Sequence, residues 1–184
     1  DFEHIMTALV GDYLQNGRTQ MVFHDFANLH KRSGEALDAA RVLLGRLNAA
    51  LPQTLSLNEH EGGLLARHFG VPYPENVNAP ESEGAVLAAT VELRNRTGLD
   101  EVVIHTLYCA AAATAARGAA SVPQDCCPNA IKTTGAGDTF NGGYLVACAA
   151  DIPLDARLRA ANAATRYSVE HAFPPTREQL VAQM

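Results

Sequence analysis

The stretch KTTGAGDTF at residues 132–140 combines residue types that could bind a phosphate and remove a proton. The small residues Gly135, Ala136 and Gly137 let backbone N–H groups approach a ligand closely. A helix that starts here adds unpaired N–H groups and the positive end of its dipole, which together suit a phosphate. Asp138 follows directly, and its carboxylate could accept a proton from an attacking hydroxyl. The pattern therefore indicates phosphoryl transfer, which depends mainly on positioning and charge stabilisation.

Taken alone, the four residues GAGD also fit a plain turn that opens a helix, with Asp138 in its first turn. A second short motif has a structural interpretation too. Asn58 and Glu61 are three residues apart, which is the capping-box pattern of a helix start. The elements around both motifs must therefore decide between structure and chemistry.

Short apolar runs alternate with helical segments along the chain. Strands are predicted at 21–26, 54–57 and 101–105, and a hairpin partner of the last one at 108–115. Helices are predicted at 33–51, 58–70, 83–96, 136–150, 153–171 and from 176 to the end, with loops at 71–82 and, through Pro123 and Pro128, up to the glycine stretch. This alternation predicts an α/β fold with a mostly parallel sheet covered on its faces. Ligands of such sheets bind beyond the carboxyl ends of the strands, where Asn58, His105 and Thr106 are expected.

The composition limits the classes of protein that the chain can represent. It has 184 residues, of which 47% are hydrophobic and 18% charged, as in an ordinary globular domain. The net charge of -6 argues against a nucleic-acid-binding protein, which needs a basic face. No apolar run is long enough to span a membrane, and no secretory signal is recognised. None of the four cysteines forms a C-x-x-C pair, so we expect reduced thiols rather than a zinc site, and a cytoplasmic protein.

Three longer motifs resemble one known family. The sequence TTGAGDTFNGGYL is similar to the C-terminal signature of the ribokinase-like (PfkB-type) carbohydrate kinases. The downstream stretch LRAANAATRYSVEHAFPPTREQL resembles that family's closing helices, and Asn58 to Glu61 match its Asn-x-x-Glu motif. The resemblance implies a ribokinase-like three-layer α/β/α sandwich. Because family members are usually much longer, we expect residues 1–184 to be the C-terminal portion of a single nucleotide-binding and catalytic domain, without its N-terminal portion and lid.

The resemblance also implies roles for individual residues. Asp138 is similar to the base that takes the proton from the sugar hydroxyl, and the amides of Gly135, Ala136 and Gly137 to the anion hole. The metal residues would be Asn58 and Glu61, which organise Mg²⁺ through waters, and the nucleotide residues would be Thr106, Thr133 and Asn162, the last at the adenine. The capping-box interpretation is compatible with this one, since a capped helix end can present a carboxylate to hydrated Mg²⁺.

Two further stretches resemble the ADP-dependent branch of the superfamily. FHDFAN, which contains His24, Asp25 and Asn28, is similar to its His-x-Glu-x-Ala-Ser stretch, with Asn28 in place of the serine. IHTL, which contains His105, is similar to its His-Thr-Leu stretch. The closing helices are more similar to ATP-using members, so the phosphoryl donor is left open between ATP and ADP. As a structural alternative, backbone groups satisfy both histidines and Asp25 caps a turn.

Lys132 is where the chain departs from the family pattern. Many members carry an aspartate here, in a region that helps to bind an activating monovalent cation. A lysine cannot ligate a cation, so we hypothesise that the Lys132 ammonium supplies the positive charge and that activity is independent of K⁺. The alternative is that Lys132 points to solvent, as most lysines do.

The favoured function is a sugar kinase that uses a nucleotide and Mg²⁺, with a small-molecule sugar or nucleoside as acceptor. A nucleoside kinase of the same fold and a non-catalytic nucleotide-binding relative are the alternatives. No nucleic-acid or membrane partner is expected, and self-association as a homodimer is left open.

Overall fold

The computed structural model describes residues 4, 7–8, 11, 21–26 and 29–183. Its strands are Val22–Asp25 (β1), Gln53–Asn58 (β2), Glu101–His105 (β3), Cys109–Thr114 (β4) and Gly118–Pro123 (β5). Its α-helices are Gly34–Asn48 (α1), Glu59–Phe69 (α2), Glu83–Thr97 (α3), Ala136–Ala149 (α4), Leu154–His171 (α5) and Arg177–Val181 (α6). Two short 3₁₀ helices lie at Leu29–Lys31 and Pro80–Ser82.

The five strands form one sheet in the order β1-β2-β3-β4-β5. β1, β2 and β3 pair in parallel, whereas β4 is antiparallel to both of its neighbours, so four of the five strands point the same way. This confirms the α/β fold class with a mostly parallel sheet, and the hairpin predicted after β3. The loop predicted up to the glycine stretch was wrong over Gly118–Pro123, which is β5. Alanine and glycine are weak strand formers, and pairing with β4 overrides that preference.

The helix ends follow local capping chemistry. Ser33 accepts a hydrogen bond from the Ala36 N–H at the start of α1. α1 ends at Asn48, before the predicted end, because the Asn48 side-chain oxygen accepts from the Gln53 N–H at 2.8 Å and ties the turn into β2. Gly70 adopts a left-handed conformation with φ of 66° and ends α2, as predicted.

Apolar side chains of the sheet alternate between two faces, as the two-residue period of a strand requires. Leu55, Leu57, Val102 and Ile104 belong to one buried cluster, which includes Leu37, Leu65 and Leu93 from α1, α2 and α3. Val103, Ala110, Ala112 and Val122 belong to a second cluster, with Phe140, Tyr144 and Leu158 from α4 and α5. Helices therefore cover both faces, which is the predicted three-layer α/β/α sandwich.

Within residues 21–26 and 29–183 and the other described positions, no helix has the length and apolar character that crossing a membrane requires. All four cysteines are free thiols. The cytoplasmic location, the absence of a nucleic-acid partner and the assignment of residues 1–184 to the C-terminal portion of one domain stay predictions.

Candidate active site

Three strand ends and one helix start meet at one edge of the sheet. Asp25 is the last residue of β1, Asn58 of β2 and His105 of β3, and Asn58 is paired in register with His105. The first turn of α4 lies against His105, since a Cβ on Gly137 would be 3.5 Å from the His105 ring. The ends of β2 and β3 and the glycine stretch therefore come together as the sequence predicts for an α/β sheet.

The glycine stretch turns sharply into α4. Gly135 precedes the helix with φ of 87°, a left-handed conformation that a residue with a side chain would adopt only under strain. The Ala136 N–H donates a hydrogen bond to the Thr133 carbonyl at 3.1 Å. The N–H groups of Gly137 and Asp138 follow in the first helical turn, where a helix offers no acceptor of its own. Of the predicted anion hole, the amide of Ala136 is thus already engaged, and the open end of the helix lies at Gly137 and Asp138.

Asp138 is exposed at the start of α4, and its negative charge repels that of the Asp25 carboxylate. The pKa of Asp25 is raised above its usual range, first by partial burial and then by the negative charge of Asp138, while a hydrogen bond from Asn141 opposes both effects. Two carboxylates that are far apart in the sequence are therefore close enough in the fold for the charge of one to affect the other.

Asn141 connects the helix to two strands beneath this carboxylate pair. Its amide nitrogen donates to Asp25 at 2.8 Å, and its amide oxygen accepts from the Ser56 hydroxyl at 2.7 Å. Asn141 is 7% exposed, so its partners replace the water that it has lost. The sequence interpretation missed it, although a polar residue one helical turn after Asp138 on an otherwise apolar face is a usable signal.

Asn58 and Glu61 form the capping box that their spacing predicts. The Asn58 side chain accepts from the N–H of Glu61 at 3.0 Å, and one Glu61 oxygen accepts from the Asn58 N–H at 3.0 Å. Burial, Asp25 and Glu59 raise the pKa of Glu61, and the hydrogen bond from Asn58 opposes them. Among the described residues, no group of three or more His, Cys, Asp or Glu side chains is arranged to hold a metal ion by itself.

A cavity of about 670 Å³ opens beside the glycine stretch. Its lining includes Asn58, His105, Thr133 and Gly137, and also Asp125 and Arg166. Thr106 also lines it, but the Thr106 hydroxyl donates to the Cys109 carbonyl at 3.1 Å and is held by its own turn. Arg166 was missed in the sequence, because its place in the cavity depends on how α5 packs against a distant loop.

Asn162 belongs to α5, but it does not line this cavity. It is 8% exposed and its amide nitrogen donates to the Pro123 carbonyl at 3.4 Å. Its amide oxygen is buried without a partner in the described part of the chain. Its predicted contact with adenine stays a prediction.

The two histidines at strand ends differ. His24 is buried, and its ring shares a hydrogen bond of 2.7 Å with the Gln53 side chain, which is a structural arrangement. The His105 ring stacks on Phe140 with centroids 4.6 Å apart, and burial lowers the pKa of His105 to about 4. Asn28 lies outside the described residues.

Lys132 is exposed, and its backbone N–H donates to the Val169 carbonyl at 3.2 Å. The neighbouring Ile131 N–H donates to the same carbonyl at 2.9 Å, so α5 fixes the entry to the glycine stretch. The effect of Lys132 on cation dependence stays a prediction.

Comparison with known proteins identifies the family of the chain. The family model for prokaryotic ketohexokinase matches residues 12–184. The chain belongs to this family. One curated relative is ribokinase of Haemophilus influenzae, which is 33% identical to this chain over 107 residues. The match covers 56% of this chain and 34% of that protein. The resemblance to ribokinase-like (PfkB-type) kinases is thereby confirmed.

Solved structures show the same fold. Ribokinase from Cryptococcus neoformans var. grubii, in complex with ADP, has a TM-score of 0.66 at 18% identity, over 97% of this chain and 57% of that one. The nucleoside kinase of Burkholderia thailandensis has a TM-score of 0.62 at 19% identity, over 95% of this chain and 50% of that one. The chain thus spans about a third of the curated relative and about half of these structures.

Proposed function

We propose that this protein is a sugar kinase, which transfers a phosphoryl group from a nucleotide to a sugar hydroxyl. One observation carries the proposal. The exposed carboxylate of Asp138 stands in the first turn of α4, beside the open N–H groups of that turn, and its charge raises the pKa of Asp25 at the end of β1. A base and an anion site must adjoin each other for this reaction, because the attacking hydroxyl meets the phosphoryl group there.

Each part of the site has a step in the proposed reaction. The sugar hydroxyl gives its proton to Asp138 as its oxygen bonds to the terminal phosphorus atom of the nucleotide. The bond from that phosphorus to the bridging oxygen breaks in the same step, and the nucleotide leaves with one phosphate fewer and with the negative charge on that oxygen. The Gly137 amide, the rest of the Gly135–Gly137 backbone and the positive end of α4 stabilise the charge on the phosphoryl oxygens. The Ala136 N–H can join only if it leaves the Thr133 carbonyl, to which it now donates at 3.1 Å.

The acidic residues at this edge fit a hydrated Mg²⁺. Asp25 and Asp138 repel each other, as do Asp25 and Glu61, and this repulsion contributes to the raised pKa values of Asp25 and Glu61. The capping box uses one Glu61 oxygen, and the second is available to the ion's water shell. We assign Asn58 and Glu61 to this ion. When bound, Mg²⁺ would neutralise phosphate charge during transfer.

The cavity supplies a place for the nucleotide. Its lining includes Thr133 and Gly137 of the glycine stretch as well as Asp125 and Arg166, so the wall presents both polar and apolar groups to a ligand. We propose ATP or ADP as the donor. The family's name makes a ketohexose the first acceptor to test.

The test is a coupled assay of the full-length natural protein with Mg²⁺, in which ATP and ADP are each combined with ketohexoses, other sugars and nucleosides. We expect turnover with a ketohexose or a related sugar. Turnover with nucleosides alone would replace the proposed acceptor, and binding of nucleotide without turnover on the whole panel would indicate a non-catalytic relative.

A further inference from the structure

His105 lines the cavity with a ring whose orientation is fixed from two sides. Its backbone is paired with Asn58 on β2 and Ala110 on β4. Its ring stacks on Phe140 with an interplanar angle of 27°, and Phe140 is itself only 1% exposed. The ring position is thus set by the sheet and the core, and not by a flexible loop.

One edge of this ring faces the first turn of α4. A Cβ on Gly137 would lie 3.5 Å from His105 Cε1 and 3.9 Å from Nε2. Because Gly137 has no side chain, no methyl group from the helix start contacts the ring edge. His105 and Gly137 both line the cavity, so an anion bound there can approach the ring edge and the helix start together.

The two ring nitrogens of His105 have no hydrogen-bond partner within the described part of the chain, and neither is sealed from solvent. Every imidazole retains at least one N–H donor in either charge state. Charged neighbours are not among the causes of its lowered pKa, which is due to burial. The ring is therefore a fixed, unused donor on the cavity wall.

We propose that His105 donates a ring N–H hydrogen bond to a phosphate group of the nucleotide, opposite the first-turn amides of α4. This inference rests on the proposed function, because it takes a nucleotide to be the ligand of the cavity. The contact holds the phosphate against two rigid elements of the cavity wall, the end of β3 and the start of α4. It makes His105 a binding residue and assigns it no proton transfer.

The experiment measures binding of Mg-ATP, Mg-ADP and adenosine to the full-length protein by calorimetry. His105→Phe keeps a ring to stack on Phe140 and removes the donor. A hydrogen bond to a charged group is strong enough that we expect affinity for both nucleotides to fall roughly ten- to a hundredfold. Affinity for adenosine, which has no phosphate, should stay unchanged.

Two further variants separate the explanations. His68→Phe changes a histidine that packs edge-on against Phe69 outside the cavity, and it should bind all three ligands as the wild type does. His105→Gln restores an N–H donor without the ring, and it should recover part of the lost nucleotide affinity. It also serves as the binding variant if His105→Phe does not fold.

The outcomes are distinct. Unchanged nucleotide affinity in His105→Phe would overturn the assignment, and so would an equal loss for adenosine, which would move the contact to the nucleoside. A wild-type protein that binds neither nucleotide would overturn the proposed function and this assignment with it. A wild type that binds nucleotide but lacks turnover would contradict the proposed function alone.

Discussion

Replacing Gly143 with alanine should separate α4 from α5. Gly143 is buried where the two helices meet. A Cβ there would lie 2.9 Å from Ala164 Cβ, 3.0 Å from Ala161 Cα and 3.2 Å from the Ala160 carbonyl oxygen. Carbon atoms in favourable contact are about 3.5–4.0 Å apart, so the new methyl group is roughly 0.5–1 Å too close. Two of the three contacts are backbone atoms, so the helix itself must move.

The neighbouring Gly142 provides a matched control. It is in the same helix but exposed, and a Cβ there has nothing within 4 Å. Both substitutions gain about 0.8–1 kcal/mol of helix propensity. Only Gly143→Ala pays the overpacking cost of about 1–3 kcal/mol, so this range is the expected difference in unfolding free energy between the two variants.

Urea unfolding of both variants followed by circular dichroism measures this difference. For a protein of this length the gap corresponds to roughly 2–12 °C in melting temperature. Activity of Gly143→Ala should also fall, because Asp138 lies in the same helix and moves with it. If Gly143→Ala is as stable as Gly142→Ala, α4 and α5 are not in close contact at Gly143. The position of α4, and of Asp138 within it, would then be wrong.

Three other predictions concern single residues. Ala172 has φ of 64°, a left-handed conformation that strains a residue with a side chain, so Ala172→Gly should raise the unfolding free energy by about 0.5–1 kcal/mol in urea. Ala150→Gly, at a helix end with φ of -83°, should give no such gain. Equal effects of the two substitutions would contradict backbone strain at Ala172. Because the folded pKa of His105 is about 4 against a usual 6.5, its contribution to stability is complete above pH 6.5 and is lost as the pH falls towards 4. His105→Phe should therefore gain about 1–2 kcal/mol relative to wild type between pH 7.5 and 5, and a constant gap would refute the shift. With Lys132 at the entry to the glycine stretch, replacing Na⁺ by K⁺ should leave the phosphoryl-transfer rate unchanged, and strong activation by K⁺ would disprove the hypothesis.

Local chemistry made much of this fold predictable. The caps at Ser33, Asn58 and Gly70 mark helix ends through hydrogen bonds or backbone conformations that involve only neighbouring residues. In the strand at Glu101–His105 the first four residues are all buried. β5 escaped prediction because its alanines have little strand preference, and only pairing with β4 makes it a strand.

The candidate site also combines features that a short segment predicts with features that depend on tertiary packing. The turn at Gly135 and the exposed Asp138 follow from the residue types of one short segment. The hydrogen bonds of Asn141 to Asp25 and Ser56 join residues that are 116 and 85 positions apart, and no local pattern contains them. The burial of Asn162 likewise depends on how α5 meets the end of β5, which is a matter of tertiary packing.

The most direct test of the account measures Asp138→Asn, with Asp155→Asn, an exposed aspartate in the first turn of α5, as the control. Nucleotide affinity and the rate of phosphoryl transfer are determined on the full-length protein with its best acceptor. Asp138→Asn should bind nucleotide nearly as the wild type does but lose a factor of ~100 or more in rate, because asparagine cannot accept the proton. Near-full turnover by Asp138→Asn would show that this carboxylate is not the base.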